Sequence, residues 1–503
     1  MTKENDLWIG IDLGTSSVKA MAVRADGSEA AIETRHYPLS SPRSGWVEQS
    51  PADWWNATAD ALHALLSQCD GTVRGFGLSG QMHGLVALDA EGDVLRPAIL
   101  WNDNRNAAQV DEILERVGGA EALLKLTGNP MLAGFTAGKI LWFRENEPEL
   151  FAQTTQILNP KDYIRYCLTG DFATDVSDAS GTGMFDVERR IWSDRLLEIL
   201  ELDRALLPDA FESSEVTGTV HGEASRVTGL PEGTPVVGGG GDAVLQTTSM
   251  AIIDEGQLGV TLGTAGIVAS AADHFPGNPG AALQVSCGNA PGKWHIMGVA
   301  LTTGGVVPWL AEALAPLNGG EADVERIAEL AAESPRGANG VRFLPYLVGE
   351  RAPHRDPDAR AALFQLDVRH KITDIARAAI EGALLNIRQI RDLFVEMGLP
   401  VDDVRISGGA TGHAIWRDTM VDILGSECWT VSGGEQGAAY GAALLAGVGT
   451  GAWHDLDEAL SKVGTQQKLT PDPEATEIYD DAYAEFTSLY APLRAARTGG
   501  SDA

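Results

Sequence analysis

Lysine is scarce in this sequence. Of its 37 basic residues only 9 are lysines, and all of them together face 70 Asp and Glu for a formal charge of −33. Such a balance repels polyanions, which excludes nucleic acid and anionic membrane surfaces as partners. Many carboxylates with few long ammonium side chains also read as adaptation to a salty cytosol, where the reach of self-repulsion shrinks to about 3 Å at 1 M salt. Cysteine is sparse too. Cys69, Cys167, Cys287 and Cys428 lie far apart, without pairing or metal-ligand spacing, so neither a disulfide scaffold nor a cysteine metal site is expected. No apolar run approaches the length of a membrane span, and the opening MTKENDLWIG has neither the basic nor the apolar region of a signal peptide. A cytoplasmic location is the resulting expectation. Finally, the pattern G-x-x-x-x-G-K-[ST] occurs nowhere, which argues against a P-loop fold.

What is present suits a large folded enzyme. The chain has 503 residues, 44% of them hydrophobic, and 58 glycines. That length exceeds one ordinary core, so two domains are expected, 1–248 and 249–503, with the division falling between Leu245 and Glu255. The stretch from Leu7 to Ala22 reads as a β-hairpin turning at Gly14. DWWNATADALHALL, from Asp53, has helical period, and GTVRGFGLSGQMHG reads as a strand entering a glycine loop. Farther on, PVVGGGGDAVLQ is a short strand, four glycines, then Asp242 opening a helical stretch. A second hairpin spans Glu255 to Ala272 and repeats the tripeptide LGT of residues 13–15 at 262–264. Helical spacing predicts a long helix over 373–397, VRISGGATGHAIWRDTMVDIL gives strand, Gly408–Gly409 and helix, and EQGAAYGAALLAG is a last small-residue helix. The tail TGGSDA is expected to fray. Helices alternating with strands indicate α/β architecture.

Three glycine turns, IDLGTSS, TLGTAG and SGGATG, are of the kind that lets several backbone N–H groups converge on a phosphate. Asp12 ends a strand just before Gly14, Thr15 and Ser16. A carboxylate beside phosphate oxygens calls for an intervening cation, which points to magnesium. Asp242 follows glycines that clear space for a substrate, so it could accept a proton from a hydroxyl; on spacing alone it reads equally well as a helix N-cap. Gln81, Met82 and His83 follow one apolar strand, and Trp101, Asn102 and Asp103 another. Polar groups beside an aromatic plane suit a polyol.

These residues resemble the FGGY carbohydrate kinases. GFTAGKILWFREN, from Gly134 to Asn146 and including Lys139 and Trp142, matches one family signature. AALFQLDVRHKITDIARAAIE, from Ala361 to Glu381, matches the other, with Gln365 where the family usually has glycine. The ordered series IDLGTSSVK, SGQMHG, RPAILWNDNR, NPKDYIRYCLTGDFATDVSDASGT, GGGDA and FLPYLVGERAPH resembles the branch of the family that phosphorylates D-xylulose, although Ala243 stands where that branch often has Asn. The resemblance implies a two-lobed actin-like, ribonuclease H-like fold, each lobe a mixed β-sheet flanked by helices, with ATP and sugar meeting between the lobes. It implies Asp242 as catalytic base and Asp12 as the acid associated with phosphate and Mg2+. It implies Gln81, Met82, His83, Trp101, Asn102, Asp103 and Asp242 as substrate-binding residues, with Asn102 and Asp103 also supporting that loop. It places ATP on Thr15, Ser16, Gly263, Thr264, Gly304, Gly305, Gly408, Gly409 and Ala410. Partners are then ATP and a small sugar, with a homodimer compatible with this reading. Two alternatives stay open: a family member for ribulose, gluconate or another polyol, and a non-catalytic ATP-binding switch of the actin or chaperone type.

Overall fold

The computed structural model describes residues 5–317, 319–431, 434 and 436–498. The expected fraying of the tail concerns, from residue 499 onward, positions outside the described residues. The chain divides into two compact units: Met1–Ile253 with Ala271–His295 and Gln436–Gly464, and Asp254–Ser270 with Ile296–Glu435 and Thr465–Ala503.

In the first unit the expected hairpin forms from Asp6–Leu13 and Ser17–Arg24, antiparallel, with Glu29–His36 added outside it. On the other side of Asp6–Leu13 lies Thr72–Gly80, in parallel, and beyond that Pro235–Val237 and Val216–Thr219. Their alternate side chains enter one core: Ile9, Ile11, Phe76 and Leu78 are fully buried with Trp54 and Leu62 of the helix Pro51–Ser67. The opposite face is covered by the helix Ala438–Gly449. Glu435, where the sequence pattern starts that helix, is outside the described residues. Helix and sheet meet backbone to backbone. A methyl group on Gly10 would lie 2.0 Å from the Ala439 carbonyl oxygen, and one on Gly77 2.0 Å from that of Ala442, so only glycine admits this approach.

The second unit repeats the plan. Gly256–Leu262 and Gly266–Ala272 form the antiparallel hairpin, Val401–Ser407 lies parallel to Gly256–Leu262, and Cys428–Val431 and Thr465–Leu469 follow. The two LGT tripeptides therefore occupy the same place, the tight turn after the first strand of each mixed sheet. The long helix runs Ile372–Glu396 and the glycine pair opens Ala414–Leu424 through a short 3-10 turn. Gln365 has φ 64°, a left-handed backbone that explains why glycine suits this position. Among the described residues no helix is long and apolar enough to cross a membrane.

Candidate active site

In open α/β sheets, ligand sites form beyond the carboxyl ends of the parallel strands. In the first unit those ends bring together Asp12, Ser79 and the glycine turn. Asp12 is the register partner of Ser79, and Gly240 pairs with Ser79 on the other side. Asp242 is the first residue of the helix Asp242–Ser249, whose N-cap is Gly241. The N-cap reading of Asp242 is thereby displaced: its Oδ1 accepts the Ala243 N–H at 2.8 Å from inside the helix. Met82 lies against this turn, since a methyl group on Gly241 would fall 2.6 Å from its Sδ.

Both carboxylates are only partly exposed. Burial and then the Asp12 charge raise Asp242 to about 7, against the opposing Ala243 and Met82 N–H groups. Asp12 is likewise raised by burial, against the Ser79 hydroxyl, which donates at 2.8 Å, and the Lys19 charge. A carboxyl poised near neutrality is suited to taking up a proton in turnover.

His83 follows with φ 69°. Its Nδ1 bonds the Gly181 carbonyl at 2.5 Å and its ring stacks on Phe135 at 4.6 Å. Lys139, fully buried, donates to the His83 carbonyl at 2.7 Å and to the Gly134 carbonyl. Burial, opposed by the Asp103 charge, pushes this ammonium down to about 7. Gln81 is buried, its Nε2 3.2 Å from Gln49 Oε1. Trp101 is 40% exposed and donates through Nε1 to the Thr15 hydroxyl at 3.0 Å. This bond links the second expected sugar loop to the first phosphate turn, on which Ser16 is exposed. Asn102 is half-buried. Asp103 differs from its neighbours. It is fully buried, with both oxygens bound by the Arg105 guanidinium and one also accepting the Val47 N–H at 2.5 Å. Direct substrate contact by Asp103 is thus corrected to support of the loop: no oxygen of it faces outward.

The other expected nucleotide residues lie in the second unit. Gly263, Thr264, Gly304, Gly409 and Ala410 line a cavity of about 250 Å³ with Leu262, Val307, Pro308, Val324, Ala328, His413 and Trp416. Gly305 closes the Thr264 turn, donating its N–H to the Thr264 carbonyl at 3.1 Å, while Gly304 donates to that of Gly263 at 2.8 Å. Gly408, with φ 99°, leads from Val401–Ser407 into the cavity wall. A glycine-rim pocket with apolar walls is chemically suited to a heterocycle carrying phosphates.

Two family models match the chain, those of the N-terminal and C-terminal domains of the FGGY family of carbohydrate kinases, over residues 7–248 and 258–450. The chain belongs to the FGGY family. Similar proteins include a xylulose kinase of Escherichia coli (strain K12), 37% identical over 97% of this chain and 99% of the relative. A crystal structure of a "xyloylose kinase" from Brucella ovis is 32% identical, with a TM-score of 0.91, over 97% of this chain and 100% of that one. A gluconate kinase structure from Lactobacillus acidophilus is 26% identical, with a TM-score of 0.92, over 99% and 100%. As an FGGY kinase the protein is a phosphotransferase acting on a sugar alcohol group, which removes the non-catalytic switch.

Several residues of this FGGY site carry no signal that composition or spacing singles out. Ser79 is an ordinary strand residue until the register sets it beside Asp12. Lys161, Asp162, Asp175 and Asp178 converge from a helix, a strand and a short helical turn into one buried cluster. His413 and Trp416 were legible only as the start of a helix. The donor set at Asp12 fits magnesium. It is a hard oxygen site with one carboxylate, and no group of three or more His, Cys, Asp or Glu able to hold a metal occurs among the described residues. Magnesium bound through one or two carboxylates plus substrate phosphates needs no more.

Proposed function

We propose that this kinase transfers the γ-phosphoryl group of ATP to the terminal hydroxyl of D-xylulose, giving D-xylulose 5-phosphate and ADP. The first unit would hold the sugar and the catalytic base, the second the nucleotide. The observation that carries the reading is Asp242: a carboxyl held by desolvation and by Asp12 at about 7, placed behind glycines and against Met82. In that state it can take the proton of the attacking hydroxyl as the oxygen approaches phosphorus in line. Gln81, Met82, His83 and Trp101 orient the ketose. The Gly263–Thr264 and Gly304–Gly305 turns, with Gly408, Gly409 and Ala410, present backbone to the nucleotide. Asp12 would hold magnesium beside Thr15 and Ser16. When bound, that ion neutralises the charge building up on the transferring phosphoryl group.

The cations near the sugar loop disfavour gluconate. Lys139 is spent on two carbonyl groups, Arg105 on Asp103 and Glu48, and Lys161 on three aspartates. A carboxylate substrate would need one of them released. Cytoplasmic residence accords with the four free cysteines, and we extend the proposal to a salt-tolerant cytosol on the charge of −33.

The test is ADP release with D-xylulose, D-ribulose, L-ribulose, gluconate and glycerol, each with ATP and magnesium. D-xylulose should give the highest kcat/KM, and Asp242→Ala should abolish sugar-dependent release while the protein stays folded. A higher kcat/KM for another acceptor would replace the substrate, and an active Asp242→Ala would remove the base.

A further inference from the structure

Four glycines in succession cannot fix their own conformation by packing, because they have no side chains and the widest backbone freedom. Yet Gly238–Gly241 must hold Asp242 in one direction. Gly239, with φ 79°, passes so near Leu78 that a methyl group on it would lie 2.1 Å from the Leu78 carbonyl oxygen. Backbone bonds hold part of the turn, Gly240 and Gly241 pairing with Ser79 and Gly80 and the Gly238 and Gly239 N–H groups bonding the Glu215 and Ser213 carbonyls; side chains supply further anchors.

These further anchors come from a buried polar cluster that phosphoryl transfer itself does not use. Lys161 Nζ, fully buried, lies 2.5 Å from Asp162, 2.9 Å from Asp175 and 3.5 Å from Asp178, and 3.5 Å from the Gly238 carbonyl oxygen. Asp175 Oδ2 accepts from Ser177 N–H at 2.8 Å, Ser177 Oγ at 2.5 Å and Ser213 Oγ at 3.2 Å. The Ser177 hydroxyl in turn accepts the Gly241 N–H at 3.1 Å, the peptide immediately before Asp242. Asn289 joins the group, donating to Ser213 Oγ at 3.0 Å and to Ser177 Oγ at 3.4 Å and accepting from Thr248, on the Asp242 helix, at 2.8 Å.

We propose that Lys161, Asp175 and Ser177 are positioning residues that clamp the two ends of the Gly238–Gly241 turn and so aim Asp242 at its substrate. This rests on the reading of Asp242 as the base. A buried ion cluster is a poor device for stability, since desolvation offsets the attraction and apolar side chains of equal volume serve as well. What it supplies is direction: the ammonium reaches the first glycine of the turn, the hydroxyl reaches the last, and the Asp175 carboxylate joins them. Burial pushes Asp178 well above the usual carboxylate range, against the pull of Lys161.

The test compares Ser177→Ala, Asp175→Asn and Asp242→Ala in the full chain, with kcat referred to the folded fraction read by near-ultraviolet circular dichroism. Displacing a reacting group by about 1 Å can cost on the order of 100-fold, so Ser177→Ala and Asp175→Asn should lower kcat by about tenfold or more per folded molecule while KM for ATP is unchanged. Lys161→Met would leave three aspartates uncompensated and is not the deciding variant. If Asp242→Ala is inactive but Ser177→Ala and Asp175→Asn keep wild-type kcat per folded molecule, losing only folded fraction, the clamp is overturned and the base stands. If Asp242→Ala is active, the base and the clamp fall together.

Discussion

Replacing Asp242, the proposed base, with its isostere Asn should make the protein inactive and more stable, with the gain growing as pH rises. In the native state Asp242 is raised from an ordinary 3.8 to about 7. Its carboxyl therefore binds a proton more tightly folded than unfolded. As pH rises above about 4 the unfolded chain ionises first and the native state loses ground, until at about 7 both are ionised and the loss is complete. About three units at roughly 1.4 kcal/mol each set a ceiling near 4 kcal/mol. Solvent access to the partly exposed side chain reduces this to about 2 kcal/mol. Asn cannot ionise and escapes the penalty. Scanning calorimetry of Asp242→Asn against wild type should show a Tm gap of about 3 °C at pH 8, falling to about half at pH 5.5, where half of the interval has been crossed. A gap that does not change with pH, or a variant that melts below wild type at pH 8, would refute the claim that a strained carboxyl sits here.

Gln365→Gly should stabilise the second unit. Relief of the left-handed backbone at φ 64° is worth about 1–2 kcal/mol, and added freedom of the unfolded chain returns about 0.5–1 kcal/mol; urea unfolding with no rise in midpoint would contradict this. A methyl group added to Gly409 meets nothing within 4 Å, so Gly409→Leu should project into the nucleotide cavity. It should raise KM for ATP about tenfold or more, as lost ground-state binding, at unchanged Tm; an unchanged KM would move the nucleotide elsewhere. The acidic balance predicts that Tm and kcat rise between 0.1 and 1 M KCl, and indifference to salt would sink the high-salt reading.

Local pattern carried most of the elements. The two hairpins, the helix Pro51–Ser67, the helix Ile372–Glu396 and the strand–glycine–helix passage at Gly408–Gly409 are each built from contiguous residues, so their periods and turns are visible without the fold. The pairing of Asp12 with Asp242 was only half visible. Each stood at a recognisable strand-to-glycine junction, but their mutual charge effect depends on the parallel register through Ser79. The role of Asp103 was misjudged for the same kind of reason: Arg105 stands only two residues on, but Val47 and the Glu48 that fixes Arg105 come from a distant segment that no spacing announces. The Lys161 cluster is the extreme case, four charged residues whose meaning exists only once burial has removed water from between them.

The Gly10 and Gly77 contacts with the helix Ala438–Gly449 have a biosynthetic consequence. The sheet to which they belong is translated first, but the segment that covers its second face leaves the ribosome only when about nine-tenths of the polypeptide has been made. Until then a glycine-lined apolar surface waits uncovered, and a truncated gene product ending at Ile253 would carry that surface for good. Efforts to express the first unit alone should therefore graft residues 271–295 and 436–464 back onto it.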